Sequence, residues 1–149
     1  MGVTIRRAIE QDTTAISVML GEVEAYYGGH PAPVDEQQIR VALFSEPAAA
    51  TVLLAEQGGR VVGFASFSSL WPATGADVSL YLKELYVRAD ARCQGVGRQL
   101  LAAVREAGEE LGCSRLEWTG DTDNPAALGF YEKLGVPVSE GKVFYRVAL

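Results

Sequence analysis

The chain has one histidine, His30, and two cysteines, Cys93 and Cys113, in 149 residues. That scarcity argues against a metal centre of imidazole and thiolate ligands. The cysteines bound one expected helix, which separates them by roughly 30 Å at ~1.5 Å rise per residue, beyond disulfide reach. Reduced thiols fit a cytoplasmic protein. Long apolar runs are missing too: Met1-Gly-Val-Thr-Ile-Arg-Arg7 leads into a mixed polar stretch, so neither a secretory leader nor a membrane span is expected. Basic residues are outnumbered, 13 against 19 acidic ones, for a formal net charge of −6. Such a surface repels phosphate backbones, which speaks against nucleic acid and for a cationic small molecule as partner. Low-complexity tracts and internal repeats are absent, and 48% of the residues are hydrophobic. One folded domain over residues 1–149 is expected.

The apolar periodicities set out an order of elements. Val3 to Ala8 alternates as a strand, and Asp12-Thr13-Thr14 offers caps for a helix to about Tyr26, broken by Gly28-Gly29-His30-Pro31. A second helix is expected from about Asp35 to Phe44. Thr51 to Glu56 and Val61 to Phe67 flank Gly58-Gly59 as an antiparallel hairpin. A strand from Leu80 to Val87 then precedes a helix from Gly95 to Leu111, with Val96, Leu100, Val104, Ala107 and Leu111 on one face. Arg115 to Trp118 reads as a short strand, Asn124-Pro125 starts a helix through Leu134 with Gly135 as its cap, and Lys142 to Val147 alternates as a last strand. The order β-α-α-β-β-β-α-β-α-β, with a hairpin before one crossover helix, points to an α+β fold around a mixed sheet.

Between the Leu80–Val87 strand and the following helix lies Arg92-Cys-Gln-Gly-Val-Gly97. The first-turn N–H groups of that helix have no intrahelical partner, so with the helix dipole they form a place for a diphosphate. Gly95 and Gly97 let the backbone approach closely, and Arg92 and Arg98 add positive charge. Gly95-Val-Gly97 also begins a dinucleotide fingerprint, but its third glycine position is Leu100 and there is no second βαβ half. A P-loop is excluded because no Lys-Ser/Thr follows.

Arg-x-x-Gly-x-Gly behind a strand reading Leu-x-x-Leu-x-Val resembles the acetyl-CoA signature of the GNAT superfamily of N-acetyltransferases. A second motif, Asn124-Pro-Ala-Ala-Leu-Gly-Phe-Tyr131, matches that family's Asn-x-x-Ala-x-x-Phe/Leu-Tyr. The resemblance is nearly continuous from Arg60 to Val147. It implies a mostly antiparallel central sheet flanked by helices, acetyl-CoA as donor, and a homodimer. It further implies that the main-chain groups of Cys93, Gln94, Gly95, Val96, Gly97 and Arg98, together with Arg92, hold the CoA pyrophosphate. The strand Leu85-Tyr86-Val87 would pair with pantetheine through Leu85 and Val87, as though the cofactor were another strand.

Asn124 and Tyr131 stand seven residues apart, on one face of their helix. By resemblance the asparagine contacts the pantetheine arm and the tyrosine protonates the departing thiolate, a role suited to a phenol of ordinary pKa about 10. Taken without the family, Asn124 is a helix cap and Tyr131 a core residue. Attack on a thioester needs a neutral amine, and Glu84, on the strand beside the pantetheine contacts, is the candidate base. Glu22, Tyr26 and Tyr27 lie on the first helix, where the family walls its acceptor pocket, and carboxylates with aromatic faces suit an ammonium. Glu117 is the remaining candidate for the acceptor side.

Within the superfamily, Val61 to Phe67, Trp71-Pro72, Tyr81 to Val87 and Asn124 to Gly135 look most like the diamine (spermidine/spermine) acetyltransferase branch. The chain departs at Lys83, where that branch typically has an acid, and keeps Glu84. The expected activity is direct transfer of acetyl to a primary amine of a small molecule: a diamine or polyamine, an amino acid or an antibiotic amine. A protein or peptide N-acetyltransferase, or a non-catalytic acyl-CoA sensor, would share the donor site.

Overall fold

The computed structural model describes residues Gly2–Leu149, in two compact units, Met1–Trp118 and Thr119–Leu149. The larger unit holds β1 (Val3–Arg7), α1 (Thr13–Tyr26), α2 (Glu36–Phe44), β2 (Thr51–Gln57), β3 (Arg60–Leu70), β4 (Ser79–Val87), α3 (Val96–Glu110) and β5 (Arg115–Glu117). Its strands form one sheet in the order β1-β2-β3-β4-β5. The first three pairings are antiparallel and β4–β5 is parallel, as a helical crossover through α3 requires. This is the mixed, mostly antiparallel α+β sheet expected.

Alternation along the strands sends side chains to two helical layers. Val52, Leu54 and Phe64 point to one face, where Ile16, Met19 and Val23 of α1 and Ile39 of α2 close the core over them. Gly63 and Leu80 face the other side, toward Leu100 and Gly108 of α3. Val96, Leu100 and Val104, spaced by four and eight residues, form the buried stripe of α3. Asp35 caps α2 through its side chain, accepting from the Gln37 and Gln38 N–H groups. Asp12 begins α1 but accepts instead from Arg6 and from the Ile9 N–H.

The smaller unit holds α4 (Pro125–Lys133), which starts with proline in its first turn behind an Asn124 cap. The strand expected over Lys142 to Val147 is not formed: the described chain has no ladder there. Alternation alone makes a strand only where another strand supplies the hydrogen bonds. Val143, Phe144, Tyr145 and Val147 are instead exposed.

Candidate active site

The site in the larger unit is built on the second half of β4. Phe67 pairs with Leu82 and Ser66 with Glu84, so Lys83 is the extra residue of a β-bulge. The bulge resets the alternation. Beyond it Leu85 and Val87 pair with Ala65 and Gly63, on the α3 side, while Glu84 and Tyr86 turn to the α1 side, where Tyr86 lies beside Phe64.

The same register determines the backbone. The Arg88 N–H donates to Val62 O at 2.8 Å, so Arg88 and Val62 form a hydrogen-bonded pair. In an antiparallel ladder such pairs alternate, so Tyr86 bonds back to β3 whereas Leu85 and Val87 aim N–H and C=O at the opposite edge. Along that edge β5 pairs only with Ser79, Leu80 and Tyr81. β4 therefore continues past the end of its parallel neighbour. An extended ligand with alternating amide donors and acceptors can add there as a strand would.

Immediately downstream the chain makes a left-handed turn at Cys93 (φ 61°) and again at Gly95 (φ 82°), the residue that caps α3. The first intrahelical bond runs from the Gln99 N–H to Gly95 O at 3.0 Å. The N–H groups of Val96, Gly97 and Arg98 precede it and point out of the helix, where an anion meets both them and the positive end of the dipole. Gln94 steadies the turn: its amide donates to Asp90 O at 3.2 Å and its carbonyl accepts from Gln57.

Arg92 stands between these two features. Its Nε donates to Val87 O at 2.8 Å, and its guanidinium lies 5.4 Å from the Tyr26 ring centroid and 5.7 Å from that of Tyr86. The Tyr86 hydroxyl donates to Glu22 Oε1 at 2.9 Å, and Arg88 pairs with the same carboxylate at 3.0 Å. Burial first, and the Glu22 hydrogen bond second, hold the Tyr86 phenol above its ordinary range. It stays protonated at neutral pH and acts as a donor.

The sequence candidates thus fall into groups. Glu22, Tyr26, Tyr86 and Arg92 come together with Glu84 on the same face of β4, two residues before Tyr86. Tyr27 is exposed and meets Tyr26 edge-on. Glu117 lies elsewhere: it accepts from Ser79 Oγ at 2.6 Å and pairs with Arg115 at 2.9 Å, stitching β5 to the start of β4. In the smaller unit Asn124 Oδ1 accepts from the Ala127 N–H at 3.2 Å as a helix cap, and the Tyr131 ring packs beside Phe130 and near Gly120. Arg88 was not singled out from the sequence. No motif marks it, because its role depends on which carboxylate α1 lays across the end of β4.

Residues 17–136 match the Acetyltransferase (GNAT) family. The chain belongs to that family. Among GNAT relatives, the mouse (Mus musculus) thialysine N-epsilon-acetyltransferase is 29% identical over 95% of this chain and 90% of its own length. The Arabidopsis thaliana L-ornithine N5-acetyltransferase NATA1 is 35% identical over 52% of this chain, a stretch equal to 34% of that enzyme. Among solved structures, an integron cassette protein from the mobile metagenome of V. cholerae superposes with a TM-score of 0.83 at 32% identity, covering 99% of this chain and 93% of its own. GNAT proteins are acetyltransferases, and this GNAT chain is an acyltransferase of the N-acetyl class. Among the described residues, no helix is long and apolar enough to cross a membrane.

Proposed function

We propose that the protein transfers acetyl from acetyl-CoA directly to a primary amine of a small molecule, with diamines and diamino acids as the acceptor class. The observation that carries this reading is the stretch of β4 edge beyond β5 that leads straight into the α3 N-terminus. The edge fits a chain with amide groups and the helix start fits a diphosphate, in the order pantetheine and pyrophosphate have in CoA. Leu85 and Val87 bind the first, and the N–H groups of the Cys93 to Arg98 turn bind the second.

On the acceptor side, Glu84 takes the proton that an alkylammonium must lose before it can attack. The nucleophile then forms the amide bond while the thioester bond breaks. Tyr131 supplies the proton to the departing thiolate, in keeping with its place in the family motif and with the protonated state of a phenol at neutral pH. The names of the thialysine and ornithine acetyltransferases support an amine on a short alkyl chain, as does the net charge of −6. Free cysteines support a cytoplasmic protein. The exposed Val143 to Val147 segment, an alternating stretch without a ladder, supports a homodimer in which a second copy supplies one.

The test is thiol release from acetyl-CoA across diamines, diamino acids, polyamines, aminoglycosides and peptides with a free N-terminus, each against a blank without acceptor. Release with diamines or diamino acids is expected. Release only with peptides replaces this reading with a protein N-acetyltransferase; CoA binding without release on any amine replaces it with a sensor.

A further inference from the structure

We infer that Tyr26 and Tyr86 form a binding site for an organic cation, that the Arg92 guanidinium occupies it in the free protein, and that donor binding displaces this occupant. The inference rests on the donor-site reading above and adds to it a physical link between the two substrates.

Two aromatic faces from different elements, α1 and β4, converge on one guanidinium at 5.4 and 5.7 Å. This is the distance at which a ring quadrupole holds a cation. The Tyr86 ring is fixed in place by its hydroxyl bond to Glu22, which Arg88 in turn holds. The Tyr86 side of the cradle is therefore held independently of Arg92. Glu22 and Arg88 neutralise one another, so the attraction for a cation comes from the two rings.

Arg92 is exposed, and its side chain is also held by the bond from Nε to Val87 O. Val87 O is on the β4 edge beyond β5, where the pantetheine arm is proposed to pair. A ligand on that edge takes over the carbonyl, and a diphosphate at the α3 N-terminus a few residues on offers the guanidinium a bidentate anion. Both changes pull Arg92 the same way. Once it leaves, the two rings accept an ammonium. Because binding linkage is reciprocal, donor and cationic acceptor must then strengthen each other's binding.

The experiment is calorimetric titration of putrescine into the protein with and without saturating CoA, repeated for Arg92→Ala and Tyr26→Ser. In the unaltered protein CoA is expected to tighten putrescine binding about tenfold, in line with one desolvated cation–π contact. Arg92→Ala is expected to bind putrescine without CoA as tightly as the unaltered protein does with it, and CoA should then make no further difference. Tyr26→Ser should weaken putrescine in both states, and Tyr26→Phe, which keeps the ring, should restore it. Unchanged CoA-free putrescine affinity in Arg92→Ala, or no putrescine binding by that variant, overturns the inference. Failure of the donor reading shows separately, as no heat on titrating CoA alone, while the CoA-free Arg92→Ala titration still decides the cation site.

Discussion

Gly95 gives the most direct test of the donor loop. It has φ 82° and ψ 6°, and a Cβ built there meets nothing within 4 Å. Alanine at this position therefore has room and pays only for the left-handed backbone, ~1–2 kcal/mol. Reduced freedom of the unfolded chain returns about 0.4–1 kcal/mol, leaving a net cost near ~1 kcal/mol. That cost can fall in two places. If the loop keeps its shape, Gly95→Ala loses ~1 kcal/mol of stability, a fall of about 0.5 M in the urea midpoint for an m-value near ~2 kcal/mol/M, and CoA affinity is unchanged. If the loop relaxes, stability is preserved and CoA must restore the turn, which raises its Kd about fivefold. Urea denaturation and CoA calorimetry on one preparation measure both, and their sum should be near ~1 kcal/mol. Gly59→Ala, in the β2–β3 turn at φ 75° with equally open surroundings, is the control: it should lose stability and leave CoA affinity alone. A Gly95→Ala protein equal to its parent in both measurements would falsify the claim that the turn requires a left-handed residue.

Three further outcomes are expected. Gly63→Ala would place a Cβ 2.6 Å from Tyr86 O and 3.3 Å from the Val87 Cα, both backbone atoms, so β3 and β4 must separate; a stability loss of about 1–3 kcal/mol with weakened CoA binding is predicted, and unaltered chemical shifts along β4 would refute it. Arg6 holds the Asp12 carboxyl below its ordinary range. A group depressed in the folded state stabilises above its unfolded pKa, about 3.9, and that contribution is lost as pH falls through the lower folded value. Asp12→Asn should therefore cost about 1–2 kcal/mol at pH 7, after allowance for the one-third exposure of Arg6, with the gap to the parent closing below pH 4; a gap that persists in acid speaks against the ion pair. Tyr131→Phe should lower turnover while leaving acetyl-CoA affinity nearly intact, since the phenol acts on the leaving group; an equal rate at every pH removes it as the acid.

Much of this protein is determined by its sequence alone. Alternation over Thr51 to Phe67 around two glycines makes the β2–β3 hairpin, the four-residue spacing of Val96, Leu100 and Val104 makes the buried stripe of α3, and Gly95 sets where that helix begins. These are local effects: periodicity and backbone freedom act over a few residues, and so the donor loop and the α+β order are legible in one dimension. The tertiary structure decided what depends on pairing. The bulge at Lys83 exists because β3 and β4 are offset by one residue, and only that offset puts Glu84 and Tyr86 on the α1 face with Leu85 and Val87 opposite. The Lys142 to Val147 stretch has the pattern of a strand and forms none, because a strand is a relation to a neighbour. Glu22 and Glu117 are both glutamates near ends of elements, indistinguishable by composition. Packing gave one to Tyr86 and Arg88 and the other to Ser79 and Arg115. Arg92 carries a positive charge wherever it stands, but its place between two tyrosine rings follows from α1 crossing the end of β4.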